Sequence, residues 1–171
     1  MNDTTTEVTA ASETTTIETT TLETTTTATT ATTAIRELLA ERELAMRRRD
    51  AAKLVELLTD DVVSFSLAPP LGSAGRDLDG LREWFTTFDG PIEFDITDLA
   101  VEAGDQVAFA RSINRLSTTP HGSDMAFQLW FRSTVGLRLV DGRWRIAHDH
   151  SSTPFYMDPS TGFRAAIDLV P

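Results

Sequence analysis

Asp141-Gly142 is a two-residue hairpin signal, flanked on both sides by residues that alternate with a period of two. The pair suits a type I′ turn, in which both central residues take positive φ. It predicts an antiparallel pair of strands, one from about Met125 to Val140 and one from Arg143 to Ser151. An unbroken ladder from that turn pairs Val140 with Arg143, Leu139 with Trp144, Leu137 with Ile146, Val135 with His148 and Ser133 with His150. Cross-strand partners share a face, so both histidines are expected on the apolar, helix-covered side. The other side then collects Trp130, Arg132 and Thr134 with Asp149, and places Asp149 within reach of Arg132.

The chain before this hairpin changes period three times. Ile35, Leu38, Leu39 and Arg42 are spaced as one face of a helix, with Arg47-Arg48-Arg49 near its C-terminus. Asp50 can cap a second helix carrying Ala51, Leu54, Leu57 and Leu58. Val62 to Leu67 reads as a short strand stopped by Pro69-Pro70. A third helix follows the Asp77/Asp79 capping region, with Leu81, Trp84, Phe85 and Phe88 on one face. From Pro91 the period is two, and the parity switch between Ile96 and Leu99 implies a bulge near Thr97-Asp98. A further strand runs from Gln106 to about Ser117. The expected fold is α+β: a strongly bent antiparallel sheet packed on three N-terminal helices.

Composition narrows the partners. Residues 1–33 are threonine runs with five acids and no Lys or Arg, and are expected to form a disordered acidic tail. The domain is expected over 34–155, with a C-terminal extension over 156–171. The net charge of −11 argues against a nucleic-acid partner. Cysteine is absent, which removes disulfides and Cys-ligated zinc. No stretch has the length of a membrane span and no secretory pattern opens the chain, so the expected location is cytoplasmic.

As pocket residues, His148 and His150 would be proton-transfer groups, since imidazole titrates near neutral pH. Ser66 and Arg111 are expected to orient an oxygen-bearing ligand, and Trp84 to form core and pocket wall. Arg111 and Asn114 have opposite parity, so at most one of them faces the pocket. No metal site is expected, because a third ligand beside the two histidines is lacking unless His121 supplies it. No cofactor is expected either, and no glycine-rich phosphate loop is present. The polar sheet face with Trp130, Arg132 and Asp149 is the expected surface of a homodimer.

The helix–helix–strand–helix–meander order, the run from Asp141 to Ser152 and Pro154-Phe155 together resemble the SnoaL-like branch of the nuclear transport factor 2-like superfamily. The resemblance covers about Ala34 to Phe155. It implies a conical barrel with one small-molecule pocket between sheet and helices, and in many members a dimer. The superfamily holds isomerases, polyketide cyclases, dehydratases and non-catalytic association domains, among them the similar kinase association domains. Matched to ketosteroid isomerase, Ser66 stands where the aspartate base belongs, and Arg42 falls near the tyrosine position. Val135 stands where kinase association domains carry a pocket arginine. Two functions are therefore expected: cofactor-free acid–base catalysis in an apolar pocket, or non-catalytic association.

Overall fold

The computed structural model describes residues 29–171. Most of the expected tail, residues 1–28, lies outside the described residues. Helix α1 spans 29–48, so it begins within the last residues of that expected tail. It buries Ala31, Ile35, Leu38, Leu39 and Ala45, one stripe at helical spacing. Arg49 ends it with φ 55°. The Arg49 N–H donates to Met46 O at 3.1 Å and the Asp50 N–H to Ala45 O at 2.9 Å, the two bonds of a Schellman close. Asp50 then caps α2 (Ala51–Glu56) by accepting from Lys53 N at 2.9 Å. Asp77 does the same for α3 (Leu78–Thr86), accepting from Gly80 N at 2.8 Å.

Six strands follow in a single sheet: β1 (Leu58–Phe65), β2 (Ser73–Ala74), β3 (Glu93–Ala103), β4 (Val107–Thr118), β5 (Phe127–Val140) and β6 (Arg143–Ser152). Their order across the sheet is β2-β1-β6-β5-β4-β3. The sheet curls around the helices without closing. The α+β expectation holds, with one correction. The sheet is mixed, because β1 runs parallel to β6. No tight turn joins these two strands, so nothing local forces them antiparallel. β1 also starts at Leu58, four residues before the expected strand.

The β5–β6 turn is as expected, with Asp141 at φ 50° and Gly142 at φ 74°. The β3 bulge is also where the parity switch put it, with Asp98 at φ 51° between Thr97 and Ala100. β3 is an open edge of the sheet, and arginines of α1 cover part of it. Arg36 donates to Leu99 O at 3.3 Å, and Arg47 donates to Phe94 O at 2.7 Å and to Asp95 at 2.5 Å. Covering an edge in this way blocks strand addition by another chain.

A second bulge was not expected. Leu137 pairs with Ile146, but the next pair is Gly136 with His148, so Ala147 is the extra residue. Beyond it Val135 pairs with Asp149, Thr134 with His150 and Ser133 with Ser151. A one-residue slip exchanges the two faces of a strand. Every side chain of β6 after Ala147 therefore points opposite to the ladder inferred from the turn.

Candidate functional site

The concave face is built from two apolar clusters with a polar belt between them. Ile35, Leu38, Leu39, Val62, Val135, Leu137 and Ile146 belong to the first cluster. Ala45, Leu54, Phe85, Phe94, Leu116 and Phe131 belong to the second. On α1, Arg42 lies between Leu39 of the first cluster and Ala45 of the second. On β5, Ser133 lies between Val135 and Phe131, and on β4 Ser112 and Asn114 lie between Ala110 and Leu116. Register extends the belt across the sheet. One row runs Ser112–Ser133–Ser151, and the next runs Ala110–Val135–Asp149–Ser64.

Arg42 forms a salt bridge with Asp149 through Nη2 and Oδ2. Their side chains are 16% and 20% exposed, so both charges are largely withdrawn from water. The other carboxylate oxygen, Asp149 Oδ1, is buried and has no hydrogen-bond partner among the described residues. Nearby, the Ser112 hydroxyl donates to Asn114 Oδ1 at 2.7 Å, and Asn114 and Ser133 are fully buried. Burying an acceptor without a donor costs about 1–3 kcal/mol. A site that tolerates such a group is suited to a ligand that brings the donor.

The structure relocates most of the expected site residues. His148 and His150 sit on the convex face, opposite to expectation, because the Ala147 bulge shifts their register. The His148 Nδ1 lies 2.9 Å from Val63 O, and the Phe65 ring contacts both imidazoles edge-on, with centroids at 5.0 and 5.7 Å. Asp149 leaves the expected dimer face for the concave side and pairs with Arg42, not Arg132. Trp130 and Arg132 keep their place on the convex face, since they alternate with the buried Phe131 and Ser133. Of Arg111 and Asn114 only one faces inward, and it is Asn114; Arg111 is exposed on the convex side.

Ser66 lies past the end of β1, exposed, its hydroxyl donating to Ala68 O at 2.9 Å. Ser64, opposite Asp149, is the β1 serine on the concave face. Trp84 is half-buried against the second apolar cluster, its ring 5.2 Å from Phe85 and 5.0 Å from Phe88. His121 lies in the β4–β5 loop, with Nδ1 2.8 Å from Asp89 Oδ1. That hydrogen bond raises the His121 pKa above its ordinary value, and the same bond, helped by the Gly122 N–H, lowers that of Asp89. Among the described residues no three His, Cys, Asp or Glu side chains gather to hold a metal ion.

Arg42, Ser64, Ser112, Ser133 and Ser151 did not emerge as site residues from the sequence. One signal of the bulge was present. Gly136 interrupts a long strand, and a glycine there often marks a bulge or a close approach. A Cβ at Gly136 would meet His148 Cβ at 3.3 Å. A surface cleft of about 340 Å³ opens elsewhere, lined by Glu37, Glu41, Lys53, Glu56, Arg143 and Trp144 among others. It is lined largely by charged side chains and does not include the belt. No helix among the described residues is long and apolar enough to cross a membrane.

Comparison with known proteins agrees with this architecture. The family model described as SnoaL-like domain matches residues 35–156. No curated protein matches the chain. A nuclear transport factor 2-like protein of unknown function from Pseudomonas putida KT2440 is 30% identical, with a TM-score of 0.73 over 84% of this chain and 98% of that one. A candidate scytalone dehydratase from Novosphingobium aromaticivorans is 18% identical, with a TM-score of 0.66 over 86% and 99% of the two chains. A candidate calcium/calmodulin-dependent protein kinase II association domain from Xanthomonas campestris is 19% identical, with a TM-score of 0.59 over 70% and 85%. The last two likenesses show the fold alone. With more than half its length matched by the family model, the chain belongs to the SnoaL-like domain family, on the nuclear transport factor 2-like fold.

Proposed function

We propose that this domain binds a small, hydroxyl- or carbonyl-bearing molecule against the concave polar belt, and that Asp149 is the proton acceptor there. The observation that carries this reading is the Asp149 carboxylate, with Oδ2 held by Arg42 and Oδ1 buried without a partner among the described residues. A carboxylate in that state can accept a hydrogen bond from a ligand hydroxyl or take a proton from carbon beside a carbonyl. Arg42 is a positioning residue in this scheme. Ser64, Ser133 and Ser151 supply hydroxyls on the same face, and the flanking Leu, Val and Phe side chains supply apolar walls. Such chemistry is of isomerase, cyclase or dehydratase type and needs no cofactor. The relative described as a candidate scytalone dehydratase is in keeping with it.

A second reading, a non-catalytic association domain in a homodimer, draws on the exposed Val63, Phe65 and Phe109 of the convex face. A ligand-observed NMR screen with hydroxylated aromatics and cyclic ketones separates the two. The first reading expects hits whose affinity falls at least about tenfold, or about 1.4 kcal/mol, in Asp149→Asn. It expects His148→Gln/His150→Gln to leave those affinities within about twofold, since both imidazoles lie on the other face. Hits indifferent to Asp149→Asn would overturn it. An absence of hits, with a dimer lost on Phe65→Asp, would favour association.

A further inference from the structure

Past β6 the chain folds back on itself as a short ribbon. The Tyr156 N–H donates to Arg164 O and the Ala166 N–H to Pro154 O, both at 2.8 Å, and Phe155 pairs with Ala165. A 3-10 turn at Pro159–Thr161 links the two arms. Antiparallel pairing sorts the side chains by face. On one face Ala166 is buried, Pro154 and Tyr156 are half-buried, and the Arg164 guanidinium lies 4.8 Å from the centre of the Tyr156 ring. Phe155, Met157 and Ile167 alternate with these residues, Phe163 follows the turn, and Leu169 and Val170 come after the second arm. All six are between 43% and 74% exposed. Phe163 also has φ 49°, a left-handed backbone that disfavours bulky residues. Burial of its ring would offset that strain, yet the ring stands half in water.

We propose that this ribbon is a docking surface for the ribbon of a second copy of the chain. The contact uses no residue of the concave belt or of the Phe65 patch. Area supports it. Large side chains present on the order of 200 Å² each when fully exposed, so these six leave on the order of 600 Å² of apolar surface. That matches the largest patch a monomer ordinarily shows. Two protomers together would bury about 1,200 Å², the lower bound for a specific interface. Charge supports the same partner. The three charged side chains of residues 153–170 are already engaged. Asp158 accepts from Ser160 N at 2.7 Å, and Arg164 pairs with Asp168 at 2.9 Å. A twofold contact between two such ribbons therefore sets apolar groups against apolar groups and strands no charge. A lipid surface fits less well. Membrane-surface segments ring their apolar face with Lys and Arg, whereas this one has only Arg164, held by Tyr156 and Asp168.

Sedimentation equilibrium of the full-length protein at about 100 μM should give twice the chain mass, since a contact of micromolar affinity is then mostly formed. Met157→Asp/Ile167→Asp, both at exposed sites, should return the monomer with an unchanged far-UV spectrum. Phe163→Gly keeps the left-handed backbone without the ring. It should weaken association at least about tenfold, without lowering the unfolding midpoint of protein too dilute to associate. Added salt should tighten the dimer, because screening reduces the repulsion between two acidic molecules. A monomer at every concentration would overturn the ribbon contact. So would a dimer that survives the ribbon substitutions, and one lost only on Phe65→Asp would move the interface to the convex sheet face. Flotation of a monomeric protein with phosphatidylcholine vesicles, abolished by Met157→Asp/Ile167→Asp, would assign the ribbon to a lipid surface instead.

Discussion

Replacing Arg42 with methionine should destabilise the domain by about 3 kcal/mol, the scale for removing one partner of a largely buried ion pair. The cost arises on the side that remains. Asp149 would keep a carboxylate that is four-fifths covered, with Oδ1 already lacking a partner and now Oδ2 lacking one as well. Urea unfolding measures this directly: the midpoint should fall while the slope stays constant. The double replacement Arg42→Met/Asp149→Leu should recover most of the loss, because two apolar side chains of similar size remove both desolvation costs together. Had Asp149 been on the convex face beside Arg132, the same substitution at Arg42 would have touched no pair. A surface bridge at Asp149 would contribute only about 0–1 kcal/mol. The size of the effect therefore reports which way β6 faces.

Ile146→Ala is expected to cost about 3–4 kcal/mol, within the range for truncating a fully buried aliphatic side chain. Ile146 has no exposure, pairs across the strands with Leu137, and belongs to the cluster that includes Ile35, Leu38 and Val62. The loss combines the transfer of three carbons with a cavity that α1 and the sheet cannot both close. Val63→Ala offers a contrast on the convex face, where the side chain is 38% exposed; that change should cost under about 1 kcal/mol. Thermal or urea unfolding of the two variants side by side gives the comparison. Near-equal losses would mean that the core does not lie on the helix-covered face.

Ile146 is also the last residue of β6 whose facing could be derived from the turn. Up to it, the local signals were strong. Asp141-Gly142 set the register, Asp50 and Asp77 capped their helices, and the parity switch from Ile96 to Leu99 revealed the bulge at Asp98. Past Ile146 the residues are Ala147, His148, Asp149, His150 and Ser151, none of which has a strong preference for the interior. An imidazole is accepted on either face, so the pattern could not expose a slip of one residue. Gly136 was the one hint, and it became informative only with its close approach to His148 in view. The parallel pairing of β1 with β6 was hidden for a different reason. The two strands are far apart in sequence and no turn chemistry connects them.

The site followed the same division. Asn114 could be separated from Arg111 by parity, but choosing between them required knowing which face of β4 the helices cover. Arg42 carried helical spacing with the core residues of α1, yet its partner emerged only after Asp149 turned inward. The serines at 64, 112, 133 and 151 are individually unremarkable in sequence. Register alone collects them around one carboxylate.

The direction of β6 beyond Ala147 is most directly tested by nuclear Overhauser contacts from the two imidazoles in the unmodified protein. The structure predicts cross-peaks from the His148 ring to the Phe65 ring, from the His148 β-protons to the Gly136 α-protons, and from the His150 ring to Phe65. It predicts none from either ring to Leu38, Leu39 or Arg42 of α1. Cross-peaks between an imidazole and those α1 side chains would contradict the bulge, and with it the placement of Asp149 in the concave site.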